Sequence, residues 1–192
     1  GRPRLARVLC RLGLVSGSPL PTLQDLIREG AGYLEARDVP APRFDAQILL
    51  SHVLGISRSE LMQRRGETAG EADSARFREQ LRRRGERVPL QYLTGEQEFW
   101  SLRFEVSPAV LIPRPETEIL VEEALRHITT PAPHIADVGT GSGNIAVALA
   151  WELPGSTIYA IDISTRALEV ARRNALRHHV DGRIRFLEGE LC

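Results

Sequence analysis

The chain contains no lysine. Its 25 basic residues are all arginine, and 25 acids balance them to a formal net charge of zero. That balance excludes the strongly basic surface that non-specific nucleic-acid binding requires, so no direct nucleic-acid contact is expected. Cysteine is nearly absent: Cys10 and Cys192 stand near opposite ends of 192 residues. Two such thiols form neither a disulfide framework nor a metal-ligand cluster, and they fit a reducing, cytoplasmic setting. No apolar run approaches the roughly 18 residues of a membrane span. The five histidines, His52, His127, His134, His178 and His179, show no metal-ligand spacing. His178 and His179 read as the solvated end of a helix. Acid is missing from the start of the chain, where nothing acidic precedes Asp25. Residues 1–20 instead carry Arg2, Arg4, Arg7 and Arg11 among leucines. This N-terminal extension has the composition of an organelle transit peptide, which would replace the cytoplasm with an organelle. A disordered or mis-started terminus is the simpler reading.

Residues 21–87 read as a small helical bundle. Thr22 caps a helix bearing Leu23, Leu26, Ile27 and Leu34, with Asp25 in its first turn. A second helix starts near Arg43 and buries Ala46, Leu49, Leu50, Val53 and Leu54, with Gly55 at a left-handed C-cap. Ser57 and Glu60 form a capping box for a short third helix. A fourth runs from about Glu71 to Gly85. Its Arg82-Arg83-Arg84 run reads as a solvated face, because Glu79 and Glu86 lie beside it.

Residues 88–112 read as a linker with a β-hairpin. Phe99 to Val106 alternates with period two, and Val110-Leu111-Ile112 is expected to return as the second strand. Residues 113–192 then alternate strand and helix. Strands are expected at Ile135–Val138, Thr157–Ile161 and from Ile184, and helices over about 143–153 and 165–177. In the last helix Leu168, Ala171 and Leu176 are expected to face inward. This order predicts an α/β fold with a parallel, doubly wound sheet. Trp100 and Trp151 are expected to be packing residues. Asn174 lies inside a helix and is not a catalytic candidate.

One loop carries the strongest chemical signal: Asp137-Val138-Gly139-Thr140-Gly141-Ser142-Gly143, where a strand gives way to a helix. Glycines there let a ligand approach the backbone. Asp162 ends the next strand, 19 residues after Gly143, a spacing that suits ribose hydroxyls. The pair points to a nucleoside-bearing cofactor. The pattern is G-x-G-x-G, not the dinucleotide G-x-G-x-x-G. Asp137 is awkward beside a pyrophosphate and welcome beside the cationic amine of S-adenosylmethionine, which is therefore preferred over NAD. A second signal is Ile112-Pro113-Arg114-Pro115-Glu116-Thr117-Glu118. The prolines hold Arg114 in a stiff frame, and Pro115 suits a first helical position with acids behind it. Taken alone, this strip is helix-start punctuation. Placed before a cofactor domain, it would also serve as an active-site wall.

Phe99-Trp100-Ser101-Leu102, the Val110 to Glu118 strip, the glycine loop, the stretch from Asp162 to Ala175 and Arg43 to Leu50 together resemble the HemK-type release factor glutamine-N5 methyltransferase family. The likeness runs from about Leu20 to the end. The resemblance implies a helical docking domain followed by a Rossmann-like, class I S-adenosylmethionine-dependent methyltransferase domain. It implies transfer of a methyl group to the glutamine of the Gly-Gly-Gln motif of peptide chain release factors, in translation termination. It places Gly139, Thr140, Gly141, Ser142 and Gly143 along the methionine part of the cofactor, Asp162 on the ribose, and Glu190 and Leu191 at the adenine. Arg114 and Thr117 would stand near the cofactor and the entering glutamine.

The sequence departs from this family at one point. The family's catalytic Asn-Pro-Pro-Tyr, which follows its fourth strand, does not occur here, and only three of its seven strands are found. No catalytic residue is therefore assigned, and the chain is expected to be an incomplete fragment. An amide nitrogen is a poor nucleophile, so the enzyme must accept hydrogen bonds from it and hold it in line with the methyl group. The alternative reading is a non-catalytic module that binds cofactor or release factor. Methylation of an exocyclic amine in DNA is disfavoured by the strip and by the neutral charge, and an NAD-dependent oxidoreductase is disfavoured by Asp137.

Overall fold

The structure is a computed structural model that describes residues 20–189. The N-terminal extension up to residue 19, both cysteines, and Glu190 and Leu191 lie outside the described residues. The chain divides into two compact units that part between Leu93 and Thr94.

The first unit holds α1 (Leu23–Glu35), α2 (Pro42–Leu54), α3 (Arg58–Gln63), α4 (Glu71–Gly85) and α5 (Leu90–Thr94), the last ending at the boundary. The α1 start is a full capping box: the Thr22 hydroxyl accepts from the Asp25 N–H at 3.1 Å, and the Asp25 carboxylate accepts from the Thr22 N–H at 3.2 Å. The box expected at α3 is only half built. The Ser57 hydroxyl accepts from the Glu60 N–H at 3.1 Å, but the Glu60 carboxylate turns to Arg64 instead, also at 3.1 Å. Gly55 ends α2 in the left-handed conformation at φ 66°.

α1, α2 and α4 bury one core from Leu23, Leu26, Ile27, Leu34, Ala46, Leu49, Leu50, Phe77 and Leu81. Gly30 makes the close approach possible. A Cβ there would stand 2.8 Å from the Phe77 ring and 3.1 Å from Ala46. Leu54, expected in the α2 stripe, is only partly buried.

The arginine run of α4 is not uniformly solvated. Arg82 does sit on the surface, between Glu79 and Glu86. Arg84 turns inward: its Nε donates to Asp45 Oδ2 at 2.7 Å and its Nη1 to the Val88 carbonyl at 3.2 Å. The two side chains of that pair are only 16% and 7% exposed. At 100° per residue, Arg84 lies three residues beyond Leu81 and so shares its buried face, which composition alone does not reveal.

The second unit opens with an antiparallel hairpin, β1 (Glu96–Phe99) and β2 (Leu102–Glu105), paired from Glu96 with Glu105 to Phe99 with Leu102. Phe99 to Val106 is thus not one strand. It contains a two-residue turn in which Trp100 (φ 54°) and Ser101 (φ 57°) both take positive φ. Such turns ordinarily announce themselves with Asn-Gly or Asp-Gly, and here no such signal exists. Nor do Val110 to Ile112 return as a strand. The Val110 N–H closes a turn onto the Ser107 carbonyl at 3.0 Å, and Pro113 has no N–H to offer a ladder. Val110 and Ile112 are buried as loop anchors.

Next come α6 (Thr117–His127), β3 (His134–Val138), α7 (Asn144–Glu152), β4 (Thr157–Asp162), α8 (Thr165–Arg177), a 3₁₀ turn (Asp181–Arg183) and β5 (Ile184–Glu188). The sheet is parallel, in the order β3-β4-β5. Helix α7 is apolar on every side: Ala146, Val147, Ala148, Leu149 and Ala150 are all buried. A helix of that kind belongs inside a layered core, and it packs against β4, β5, α6 and α8. Trp151, expected to pack, is half exposed at the end of α7. Leu176 is also exposed, because the inward face of α8 runs through Leu168, Ala171, Asn174 and Ala175, and Leu176 falls off that stripe.

The inward and hairpin-facing side of α8 carries four contacts. Arg173 grips both oxygens of Glu105, with the shortest bond 2.7 Å. Arg177 reaches Glu96 at 2.6 Å. His178 is not simply a solvated end: its Nε2 lies 2.8 Å from the Arg103 carbonyl, and its ring sits 5.4 Å from that of Phe104. Asn174 completes the set and is described with the site. No helix among the described residues is long and apolar enough to cross a membrane.

The buried pair makes a measurable demand on the first unit. Replacing Arg84 with methionine leaves Asp45 buried and unpaired, and urea denaturation of the Arg84→Met chain should show a loss of about 3 kcal/mol. Arg82→Met, on the solvated face, should leave the midpoint where it was.

Candidate cofactor-binding site

The glycine loop leaves the end of β3 and is fastened to β4. The N–H groups of Gly139 and Thr140 both donate to the Ile161 carbonyl, at 2.8 and 2.9 Å. Gly139, Gly141 and Gly143 take φ of 76°, 55° and 78°. Gly143 has a second reason to be glycine. A Cβ on it would meet the Cβ of Ala171 on α8 at 3.0 Å and its Cα at 3.2 Å. Positive φ and close packing against α8 therefore coincide at the residue that opens α7.

Two carboxylates hold the loop from the strand ends. Asp162 accepts from the Gly141 N–H at 2.9 Å with one oxygen and from the Ser164 N–H at 2.9 Å with the other. Asp137 is buried. Its Oδ2 accepts from the Thr140 hydroxyl at 2.6 Å and from the Ala146 N–H at 3.2 Å. Burial pushes its carboxyl above the usual carboxylate range, against the pull of Thr140 and Ala146, and the negative charge of Asp162 adds to the rise. The site is thus a loop of backbone donors bordered by two acids, one of them desolvated. A cation arriving beside Asp137 would relieve the penalty of its burial. A phosphate would add to it.

Ser142 is buried and its hydroxyl contacts Asn144 Oδ1 at 3.3 Å. Its carbonyl accepts from the side-chain amide of Asn174 at 2.9 Å. Asn174 is fully buried in α8. Its other bonds go to the base of the hairpin: Oδ1 accepts from the Glu105 N–H at 2.7 Å, and Nδ2 donates to the Glu105 carbonyl at 3.0 Å. From sequence, its place inside a helix excludes Asn174 from the catalytic candidates. One clue was present: a polar residue on the apolar stripe of α8 needs partners, and a ligand-free helix interior offers none.

The structure therefore brings Asp137, Gly139, Thr140, Gly141, Ser142, Gly143 and Asp162 into one hydrogen-bonded cluster. Arg114 and Thr117 are not joined to it: among the described residues no hydrogen bond or ion pair runs from either to the loop. Arg114 is exposed, and its carbonyl accepts from the Thr117 N–H at 3.0 Å in the turn that leads into α6. Pro115 belongs to that turn, not to the helix proper. Glu118 gives the strip a structural duty. Its carboxylate accepts from the backbone N–H of Trp100 at 2.7 Å, while the Trp100 indole donates to Glu152 at 2.8 Å. Two acids thereby hold the hairpin turn in its positive-φ shape. Among the described residues no group of His, Cys, Asp and Glu is arranged to hold a metal ion.

Comparison with known proteins bears on both units. Residues 25–95 match the family model described as the PrmC N-terminal domain, and residues 130–191 match one described as a methyltransferase domain. The release factor glutamine methyltransferase of Moorella thermoacetica is 44% identical over 170 residues, which cover 88% of this chain and 60% of that protein. That of Nitratidesulfovibrio vulgaris is 43% identical over 169 residues, covering 88% and 57%. The chain is similar to proteins of the HemK/PrmC type over these residues. It spans about 60% of the length of the curated relatives it matches. A solved S-adenosylmethionine-dependent methyltransferase of Geobacter sulfurreducens, in complex with S-adenosyl-L-homocysteine, is 29% identical over 40% of this chain and 29% of its own, with a TM-score of 0.34.

Two substitutions in this glycine loop should behave oppositely in thermal unfolding. A carboxyl whose folded value is raised contributes stability that is fully present below its unfolded value and is lost as the pH climbs through the raised one. Asp137→Asn removes that loss while keeping an acceptor for Thr140 and Ala146. It should therefore raise the melting temperature at neutral pH, with the gain vanishing in acid. Gly143→Ala should lower stability by about 2 kcal/mol through strained φ and the clash with Ala171. Adding Ala171→Gly should recover only the steric share.

Proposed function

We propose that this chain carries the cofactor-binding and release-factor-docking parts of an enzyme that methylates the glutamine of the Gly-Gly-Gln motif of peptide chain release factors. The cofactor is S-adenosylmethionine, and the setting is the cytoplasm, in translation termination. The observation that carries the cofactor assignment is the pair of acids around a positive-φ glycine loop, with Asp137 buried. A cationic amine and ribose hydroxyls suit those groups, and a pyrophosphate does not. The substrate assignment is supported by the similarity to proteins named release factor glutamine methyltransferases, together with the PrmC N-terminal domain match.

In this reading residues 21–87 dock the release factor, residues 88–112 link, and residues 113–192 bind the cofactor. When bound, the cofactor supplies an electrophilic methyl group on a sulfonium centre. Asp137 neutralises its amine. The backbone from Gly139 to Gly143 lies along its methionine part. Asp162 accepts from the ribose hydroxyls with the lone pairs that Gly141 and Ser164 leave over. Glu190 and Leu191 meet the adenine, and Arg114 and Thr117 flank the entry of the glutamine. No residue of this chain is assigned to accept the hydrogen bonds of the reacting amide, a task the family gives to Asn-Pro-Pro-Tyr.

Titration calorimetry should find S-adenosylhomocysteine bound and NADH not. Binding of NADH with no response to S-adenosylhomocysteine would overturn the cofactor assignment. Labelled methyl transfer by a chain that includes Asn-Pro-Pro-Tyr should reach release factor and not duplex DNA; transfer to DNA instead would overturn the substrate.

A further inference from the structure

The side chain of Asn174 touches two places that matter separately. One is the Ser142 carbonyl in the middle of the glycine loop, at 2.9 Å; the other is the backbone of Glu105, both N–H and carbonyl, at 2.7 and 3.0 Å. Glu105 is the last residue of β2 and stands nine positions before Arg114 of the proline strip. A planar amide bonded at both ends cannot shift toward one partner without drawing on the other. It is fully buried, so no water replaces a bond that breaks. The same helix meets the loop a second time where Gly143 packs on Ala171. A ligand that fixes the loop therefore also fixes the amide that the hairpin base depends on.

We propose that Asn174 is a positioning residue that couples occupancy of the glycine loop to the base of the hairpin, and through it to the strip that leads to Arg114. The inference rests on the cofactor reading above. It assigns Asn174 no contact with cofactor or substrate. Its action is to make cofactor binding order the start of the segment proposed to flank the glutamine, so that the substrate side is set only when the methyl donor is present.

Amide hydrogen exchange, read with and without S-adenosylhomocysteine, tests this. A local opening that keeps the ligand bound is not slowed, whereas one that releases the ligand slows by up to the full mass-action factor, so the last turn of α6, whose opening leaves the glycine loop intact, provides the baseline. In the native chain the Glu105 amide should slow beyond the α6 baseline by about fivefold or more, the lower end of ordinary coupling between sites. In Asn174→Ala the loop amides should still slow with ligand while Glu105 follows only the baseline. Arg173→Met loosens the hairpin from the solvent side and leaves the amide bridge intact, so its Glu105 response should persist. A Glu105 response missing from the native chain overturns the proposal without any variant, and so does one that survives in Asn174→Ala. Loss of the response in Arg173→Met as well would show that general loosening of the hairpin is the cause, and would overturn it too. If the loop amides of the native chain ignore the ligand altogether, the cofactor reading itself has failed and the coupling falls with it.

Discussion

Two carboxylates at the ends of neighbouring parallel strands hold the glycine loop in place. Asp162 takes the Gly141 N–H, Asp137 takes the Thr140 hydroxyl and the Ala146 N–H, and the Ile161 carbonyl takes two further N–H groups. Three glycines in one short loop give up more backbone freedom on folding than other residues would, and these bonds keep the loop from wandering. The parallel pairing of β3 with β4 sets the two acids side by side, since Asp137 is in register with Ala160 and Asp162 lies two residues on. The buried α7 and the inward face of α8 keep that sheet covered. Much of the second unit can be understood as the support for this arrangement.

The sequence disclosed what repeats or what is chemically singular. Helices α1, α2, α4 and α8 follow apolar stripes, Thr22 and Gly55 announce an end of α1 and of α2, and the parallel strands alternate with helices in a way few folds permit. The site was legible for the same reason: a glycine loop followed at fixed distance by an acid is a compact pattern. Features that depend on distant partners were not legible. Trp100 and Ser101 form a hairpin turn because Glu118 and Glu152 hold the tryptophan there, not because their own conformational preferences favour it. Arg84 is buried because Asp45 awaits it, and Leu176 is exposed because Asn174 and Ala175 take the inward positions. Glu105 and Asn174 are 69 residues apart, and no local pattern announces a bond over that span.

The proline strip shows how structural and functional readings combine. Considered alone, it punctuates the start of a helix, and its turn does lead into α6. Yet its last acid, Glu118, secures the hairpin turn that precedes it in sequence. The strip is thereby tied back to the aromatic segment with which it forms the most specific part of the family resemblance. A substitution at Glu118 would act on the hairpin before it acted on any ligand.

The ion pairs that fasten α8 to the hairpin and the helices of the first unit to one another share one property. In every one resting on a strong base, that base is a guanidinium, and guanidinium groups stay protonated beyond roughly pH 12. Arg173 draws Glu105 below the usual carboxylate range, and Arg78 does the same for Glu29. Stability from a lowered carboxyl is present above its unfolded value and lost as the pH falls through the folded one. The chain is therefore braced asymmetrically: alkali finds no proton to remove from these clamps, and acid can release them one by one.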